Sequence, residues 1–115
     1  SLQSNQIKKL INSEQTAWLV AKQKQAMAGV LAINGKSIVK YFFVHPTFQR
    51  QGVGRQLWQF ALDQGLLSNS LIVRSSLFAV PVYESLGFVA TGSPEKFNGL
   101  SYQTMLRSTP STAGL

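Results

Sequence analysis

Hydrophobic positions change their period partway along this chain. Three runs, "AWLVA" (17–21), "AMAGVLAIN" (26–34) and "KSIVKYFFV" (36–44), are short, apolar and rich in β-branched or aromatic residues, which predicts strands. The polar "KQKQ" (22–25) separates the first two, and Asn34-Gly35 separates the second pair. Asn-Gly is the strongest short hairpin signal, because both residues tolerate positive φ. Three consecutive strands on short turns predict an antiparallel meander. Ahead of them, "SNQIKKLINSE" (4–14) sets Ile7, Leu10 and Ile11 at helical spacing, so a short helix is expected there.

His45-Pro46 ends the third strand, since the residue before a proline avoids helical geometry. The period then becomes helical. Val53, Leu57, Phe60, Ala61 and Gln64 share one face, and Arg55, Gln56, Gln59 and Asp63 the other. Gly65 stands where a C-terminal cap is expected. "SLIVRS" (70–75) predicts a short buried strand, and "LFAVPVYESLGF" (77–88) a second helix with Pro81 in its first turn, stopped by Gly87. "GFVAT" and "GLSYQTMLR" predict two strands joined by a loop that contains Asn98-Gly99, and the tail "STPSTAGL" (108–115) is expected to fray. A strand–helix–strand unit over 36–75 implies one parallel pair in an otherwise antiparallel sheet. The expected class is therefore a mixed α/β layer fold.

The chain's 115 residues suffice for one domain and not for two, so 1–115 is read as a single domain. At 44% hydrophobic and 13% charged it can fill a core. It contains no run of 18 apolar residues, and its first residues lack the apolar segment of a secretion signal; a cytoplasmic location is expected. The absence of cysteine excludes disulfides and thiol catalysis, and a lone histidine, His45, argues against a metal site. A net charge of +7 favours an anionic partner. The basic residues are scattered with no block of five, which suits a phosphorylated small molecule better than nucleic acid.

Candidate chemistry centres on "QRQGVG" (49–54), which puts Gly52 and Gly54 at the entry to a helix. Glycine there permits positive φ and leaves no Cβ in a ligand's way. The first helix amides lack internal partners and the dipole is positive at that end, so the backbone forms an anion cradle. Arg50 and Arg55 could add charge-assisted contacts. The same pair also admits a purely structural reading as a tight turn. A dinucleotide fingerprint would need glycine at position 57, which is Leu57, and no Gly-Lys-Ser/Thr of a Walker loop occurs.

"QRQGVG", preceded by "FFVHP", resembles the Q/R-x-x-G-x-G/A signature of the GCN5-related N-acetyltransferase (GNAT) superfamily, in the manner of a small bacterial member. "SSLFAVPVYESLGF" (75–88) is similar to the family's later helix, whose tyrosine precedes Leu-Gly-Phe. The resemblance covers about residues 6–107 and is strongest over 40–88. The family's usual first strand and first helix are not visible ahead of residue 6, so either an N-terminally shortened version of the fold or a sequence lacking part of the natural N-terminus is expected, with a complete cofactor side.

The resemblance implies acetyl transfer from acetyl-CoA to an amine of a small molecule or peptide, with no metal, and it allows a homodimer. Acetyl-CoA would lie where two parallel strands, 36–44 and 70–75, splay apart. Main-chain groups near Phe43 and Val44 would hold the pantetheine arm and acetyl carbonyl. Amides of Gln51, Gly52, Val53, Gly54, Arg55 and Gln56, aided by Arg50, would hold the pyrophosphate. Tyr83 matches the family's acid for the departing thiolate, with wall packing as the alternative. Many members carry a Glu on the strand matching 36–44, and this one has no carboxylate. His45, Asp63 and Glu84 are each more readily structural or surface groups, so no base is assigned, and water can serve. The Asn that usually contacts pantetheine is replaced by the region of Arg74, Ser75 and Ser76; a serine hydroxyl can substitute. A non-catalytic acyl-CoA-binding domain on the same fold is the alternative function.

Overall fold

The computed structural model describes residues 5–12 and 14–110. The chain divides into two compact units, Ser1–Leu67 and Ser68–Leu115.

The first unit is an antiparallel meander with one helix. Its strands are β1 (Asn5–Ile11), β2 (Thr16–Gln23), β3 (Ala26–Asn34) and β4 (Ile38–Val44), and its helix is α1 (Val53–Asp63). Strand β1 corrects the sequence expectation of a helix at 4–14. Ile7, Leu10 and Ile11 do sit at helical spacing, but every residue from Asn5 to Ile11 pairs with β2. The ladder satisfies the backbone groups of β1 that face β2, and a short isolated helix is marginal in water. Ser4 and Ser13 of that stretch lie outside the described residues.

Turn geometry sets the registers. Lys24 and Gln25 both take positive φ (50° and 71°) and form a two-residue turn closed by Gln23↔Ala26. At the next hairpin the left-handed residues are Gly35 and Lys36, not Asn34 and Gly35. Asn34 stays in the ladder opposite Ile38, and its amide donates to the Glu14 carbonyl at 2.8 Å and to the Thr16 hydroxyl at 3.0 Å. The β3–β4 register slips between Ala32, opposite Tyr41, and Ile33, opposite Val39. Lys40 is thereby the extra residue of a β-bulge.

Helix α1 packs on one face of this sheet. A Cβ at Gly29 would lie 3.1 Å from both Leu57 and Val53, so β3 meets the helix at its glycine. Leu31 and Ile33 follow on the same face and are buried with Leu19, Ala17 and Ala21 of β2. From the helix come Val53, Leu57, Trp58 and Ala61. Trp58 was not among the expected core positions; it stacks on Phe42 with ring centroids 6.2 Å apart. Gln64, expected on the core face, is instead the exposed C-cap residue. Each fully buried Leu or Val here contributes roughly 1.5–3 kcal/mol. The helix ends in a Schellman motif, with Leu66 N–H donating to the Ala61 carbonyl at 3.0 Å and Gly65 N–H to Leu62 at 3.1 Å.

The second unit is built on a long strand. Strand β5 (Ser70–Ser76) leads to α2 (Val80–Ser85), then β6 (Val89–Ala90), β7 (Glu95–Phe97) and β8 (Leu100–Ser108). β8 pairs antiparallel with the whole of β5 on one edge, and with β6 and β7 on the other. The helix is shorter than the expected 77–88, and Pro81 sits in its first turn as expected. Asn98-Gly99, expected in a loop, is the two-residue turn of a β7–β8 hairpin, with φ of 51° and 79°. Leu71, Val73 and Ser75 alternate into the core beside Gln103 and Met105. The tail begins tied down: Thr109 N–H donates to the Asn69 carbonyl at 2.8 Å, and residues 111–115 lie outside the described range.

Candidate active site

In the first unit, the segment between β4 and α1 is a backbone scaffold held by glutamine side chains. His45 N–H extends the ladder by donating to the Ala28 carbonyl at 2.8 Å. The imidazole Nδ1 accepts from Thr47 N–H at 3.1 Å and caps a single 3-10 turn over Pro46–Phe48. His45 is therefore a structural cap. Gln49 Nε2 donates to the Val44 carbonyl at 3.1 Å, and Gln51 Nε2 to the Thr47 carbonyl at 3.2 Å. Sequence reasoning matched Gln49 to the motif without a role; it ties the loop back to β4.

Arg50 (φ 64°) and Gly52 (φ 81°, ψ 10°) both take left-handed backbone. Gly52 is the N-cap of α1. No side chain caps this helix start and its first turn contains no acidic residue, so the positive end of the dipole is uncompensated by protein. Arg50, Gln51 and Arg55 are exposed around it. The first-turn amides of Val53, Gly54 and Arg55 follow this N-cap, whereas Gln56 N–H, expected in the cradle, is taken by the Gly52 carbonyl at 3.0 Å.

The two glycines have different jobs. A Cβ at Gly54 would stand 3.5 Å from Phe42 Cζ and from Val44 Cγ2, ordinary contact distances. Gly54 therefore faces β4, where the expectation had it clearing space for a ligand, and alanine would fit. Phe43 also departs from expectation. Its carbonyl lies only 2.9 Å from where a Gly29 Cβ would stand, so it is turned toward β3. Main-chain groups alternate edges along a strand, which leaves Val44 with its N–H directed away from β3.

In the second unit, Ser75 is buried and its Oγ donates to the Ser76 carbonyl at 2.7 Å. Ser76 Oγ accepts from Ala79 N–H at 3.2 Å. Both hydroxyls shape the turn into α2. Arg74 lies over the Tyr102 ring, 5.6 Å from its centroid, a cation–π contact.

Tyr83 is buried at 6% exposure in α2. Desolvation pushes its phenol up to about 12 from an ordinary 10.0. The hydroxyl therefore stays protonated throughout the neutral range, as a proton donor must. Its ring meets Phe88 edge-to-face at 5.4 Å. Phe88 N–H donates to the Tyr83 carbonyl at 3.0 Å and Gly87 N–H to Glu84 at 3.0 Å, a second Schellman motif whose left-handed residue is Gly87 (φ 94°). The Leu-Gly-Phe ending is explained by this cap.

None of the four acids lies on β4. Asp63 accepts from Gln59 Nε2 at 2.9 Å and Glu95 from the Thr104 hydroxyl at 3.4 Å; these two, Glu14 and Glu84 are all exposed. Among the described residues no group of three or more His, Cys, Asp or Glu could hold a metal, and no helix is long and apolar enough to cross a membrane.

Residues 1–108 match the model of the acetyltransferase (GNAT) domain. The chain belongs to the GNAT family. A GCN5-related N-acetyltransferase from Rhodopseudomonas palustris is similar at 25% identity and TM-score 0.66, over 82% of this chain and 62% of its own. The ribosomal-protein-S18-alanine N-acetyltransferase of Escherichia coli is similar at 24% identity and TM-score 0.63, over 89% of this chain and 76% of its own. A spermidine N-acetyltransferase SpeG chimera from Vibrio cholerae shares 19% identity at TM-score 0.63, over 84% of this chain and 68% of its own. No curated protein matches significantly. These likenesses establish the acyl-CoA N-acyltransferase fold, and GNAT membership indicates acyl transfer from acyl-CoA to amines.

Proposed function

We propose that this GNAT chain transfers an acetyl group from acetyl-CoA to an amine. The observation that carries the reading is the start of α1. There an N-cap glycine in left-handed backbone opens a helix with no side-chain cap and no acid in its first turn, which is an arrangement suited to a pyrophosphate. Amides from Gln51 to Arg55 would hold it, with Arg50 and Arg55 adding charge; Gln56 N–H is already bonded to the Gly52 carbonyl. Val44 N–H would engage the pantetheine arm. The family match runs from 1 to 108, which supports reading 1–115 as one domain.

In the reaction the amine nitrogen attacks the thioester carbonyl carbon. The new C–N bond forms as the C–S bond breaks. The ammonium proton leaves through water, since β4 carries no carboxylate. The Tyr83 hydroxyl donates to the sulfur. With its pKa at about 12, Tyr83 stabilises the thiolate by a hydrogen bond that strengthens as negative charge develops.

Two of the three relatives named above are, by name, a ribosomal-protein-S18-alanine and a spermidine N-acetyltransferase. A net charge of +7 repels a polyamine, so a neutral or acidic amine-bearing acceptor fits better. The test is thiol release with a panel of amines, alongside calorimetric CoA binding, for wild type and Tyr83→Phe. The variant should lose about 10²–10⁴ in kcat and keep its CoA affinity. A variant with full kcat would make Tyr83 a packing residue. The exposed position of every acid favours one second reading, an acyl-CoA binder without transfer. It would show CoA binding and no thiol release with any amine.

A further inference from the structure

We infer that Arg107 is a positioning residue for the Tyr83 hydroxyl, an inference that rests on the acid role proposed for Tyr83. Helix α2 is only six residues long, too short to hold its own geometry. Its start is anchored by the Ser76 hydroxyl on Ala79 N–H. Its end depends on what receives the orphan carbonyls of the last turn. The Schellman bonds take those of Tyr83 and Glu84. The Leu86 carbonyl, at the C-cap, is taken by Arg107, whose Nε donates to it at 2.8 Å.

Three features make this contact more than a surface cap. Arg107 is half-buried and lies on β8 opposite Leu71 of β5, so the guanidinium anchors the helix end to the central ladder of the unit. A cation at a helix C-terminus interacts favourably with the dipole, and a charged donor strengthens the bond. The arginine stem also lies along the left-handed turn: a Cβ at Gly87 would be 3.4 Å from Arg107 Nε and 3.8 Å from its Cδ. Gly87 is therefore required by its φ of 94°, and the arginine side chain passes over it at contact distance. Tyr83 lies three residues before Leu86, and its carbonyl accepts from Leu86 and Phe88 N–H, each at 3.0 Å. Any shift of the helix end is transmitted directly to the phenol. Misplacement of a reacting group by about 1 Å can cost on the order of 10²-fold.

The experiment is a double-mutant cycle on the full chain: wild type, Arg107→Met, Arg107→Lys, Tyr83→Phe and Arg107→Met/Tyr83→Phe. It is read as kcat and acetyl-CoA KM by thiol release, with thermal unfolding for each protein. Arg107→Met should lower kcat about tenfold with KM within about twofold. Arg107→Lys, which keeps charge and donor, should recover most of the loss, and it carries the test if the methionine variant does not fold. In the Tyr83→Phe background Arg107→Met should have no further effect on kcat. An equal drop in both backgrounds overturns the inference, because Arg107 would then act on something other than the phenol. Full kcat in Arg107→Met, with Tyr83→Phe impaired, also overturns it while leaving the acid role standing. Full kcat in Tyr83→Phe removes both.

Discussion

Gly54→Ala is expected to stabilise the protein and to leave CoA binding intact. Position 54 is helical, and the added methyl would meet Phe42 and Val44 at 3.5 Å, so it adds apolar contact without overlap. Glycine costs up to about 1 kcal/mol relative to alanine inside a helix. In a domain of this size that amount corresponds to a rise in Tm of about 4 °C. Gly52→Ala should behave in the opposite way. Its φ of 81° lies in left-handed backbone, where an L residue costs about 1–2 kcal/mol, and relaxing the strain would disturb the amide cradle. The assay is thermal unfolding of the three proteins with and without CoA. A ligand at about 100 times its Kd stabilises by about 2.7 kcal/mol, and each protein's shift is read against its own ligand-free baseline. Gly54→Ala should show a raised baseline Tm and the full CoA-dependent shift. Gly52→Ala should show a lowered baseline and a smaller shift. A folded Gly54→Ala protein that loses the shift would refute the assignment of Gly54 to helix–strand packing, and would restore it to the ligand.

Gly29→Ala should destabilise by about 1–3 kcal/mol, the range for an overpacked core, because its Cβ would sit 2.9 Å from the Phe43 carbonyl and 3.1 Å from Leu57 and Val53; unchanged Tm would refute the close approach. The Tyr83 phenol, pushed up to about 12 by burial, keeps its proton in the folded state while the unfolded state loses it near pH 10. Stability should therefore fall as pH rises from 10 to 12, by on the order of 2 kcal/mol more than in Tyr83→Phe, as measured by denaturant unfolding. Arg50→Ala and Arg55→Ala should each weaken CoA binding by about 1–3 kcal/mol if their contacts are charge-assisted, with a flatter salt dependence by calorimetry. Tight, salt-sensitive DNA binding with no CoA binding would reverse the cofactor reading.

Several features were legible in the sequence because they are local. The 3.6-residue period of Val53, Leu57 and Ala61 marks the buried stripe of α1. Gly65 and Gly87 mark helix ends, since a left-handed C′ residue is a requirement of the chain's own backbone. The "QRQGVG" and "YESLGF" stretches pointed to the loop and the tyrosine helix for the same reason: each motif encodes a local backbone path.

Partner strands decided the rest. Ile7, Leu10 and Ile11 fit a helical stripe, yet residues 5–11 pair with β2; a helix is satisfied within its own segment, whereas a strand depends on a neighbour that local periodicity does not describe. The bulge at Lys40 and the turn over Gly35-Lys36 follow from the β3–β4 register. The outlook of Gly54 toward Phe42 and Val44, and the Phe43 carbonyl against Gly29, depend on how closely α1, β3 and β4 approach. The raised pKa of Tyr83 is likewise an effect of packing, because the phenol is desolvated by burial. Sequence named the candidate residues; packing determined which of their groups the protein itself uses, as with the Ser75 and Ser76 hydroxyls and the His45 imidazole.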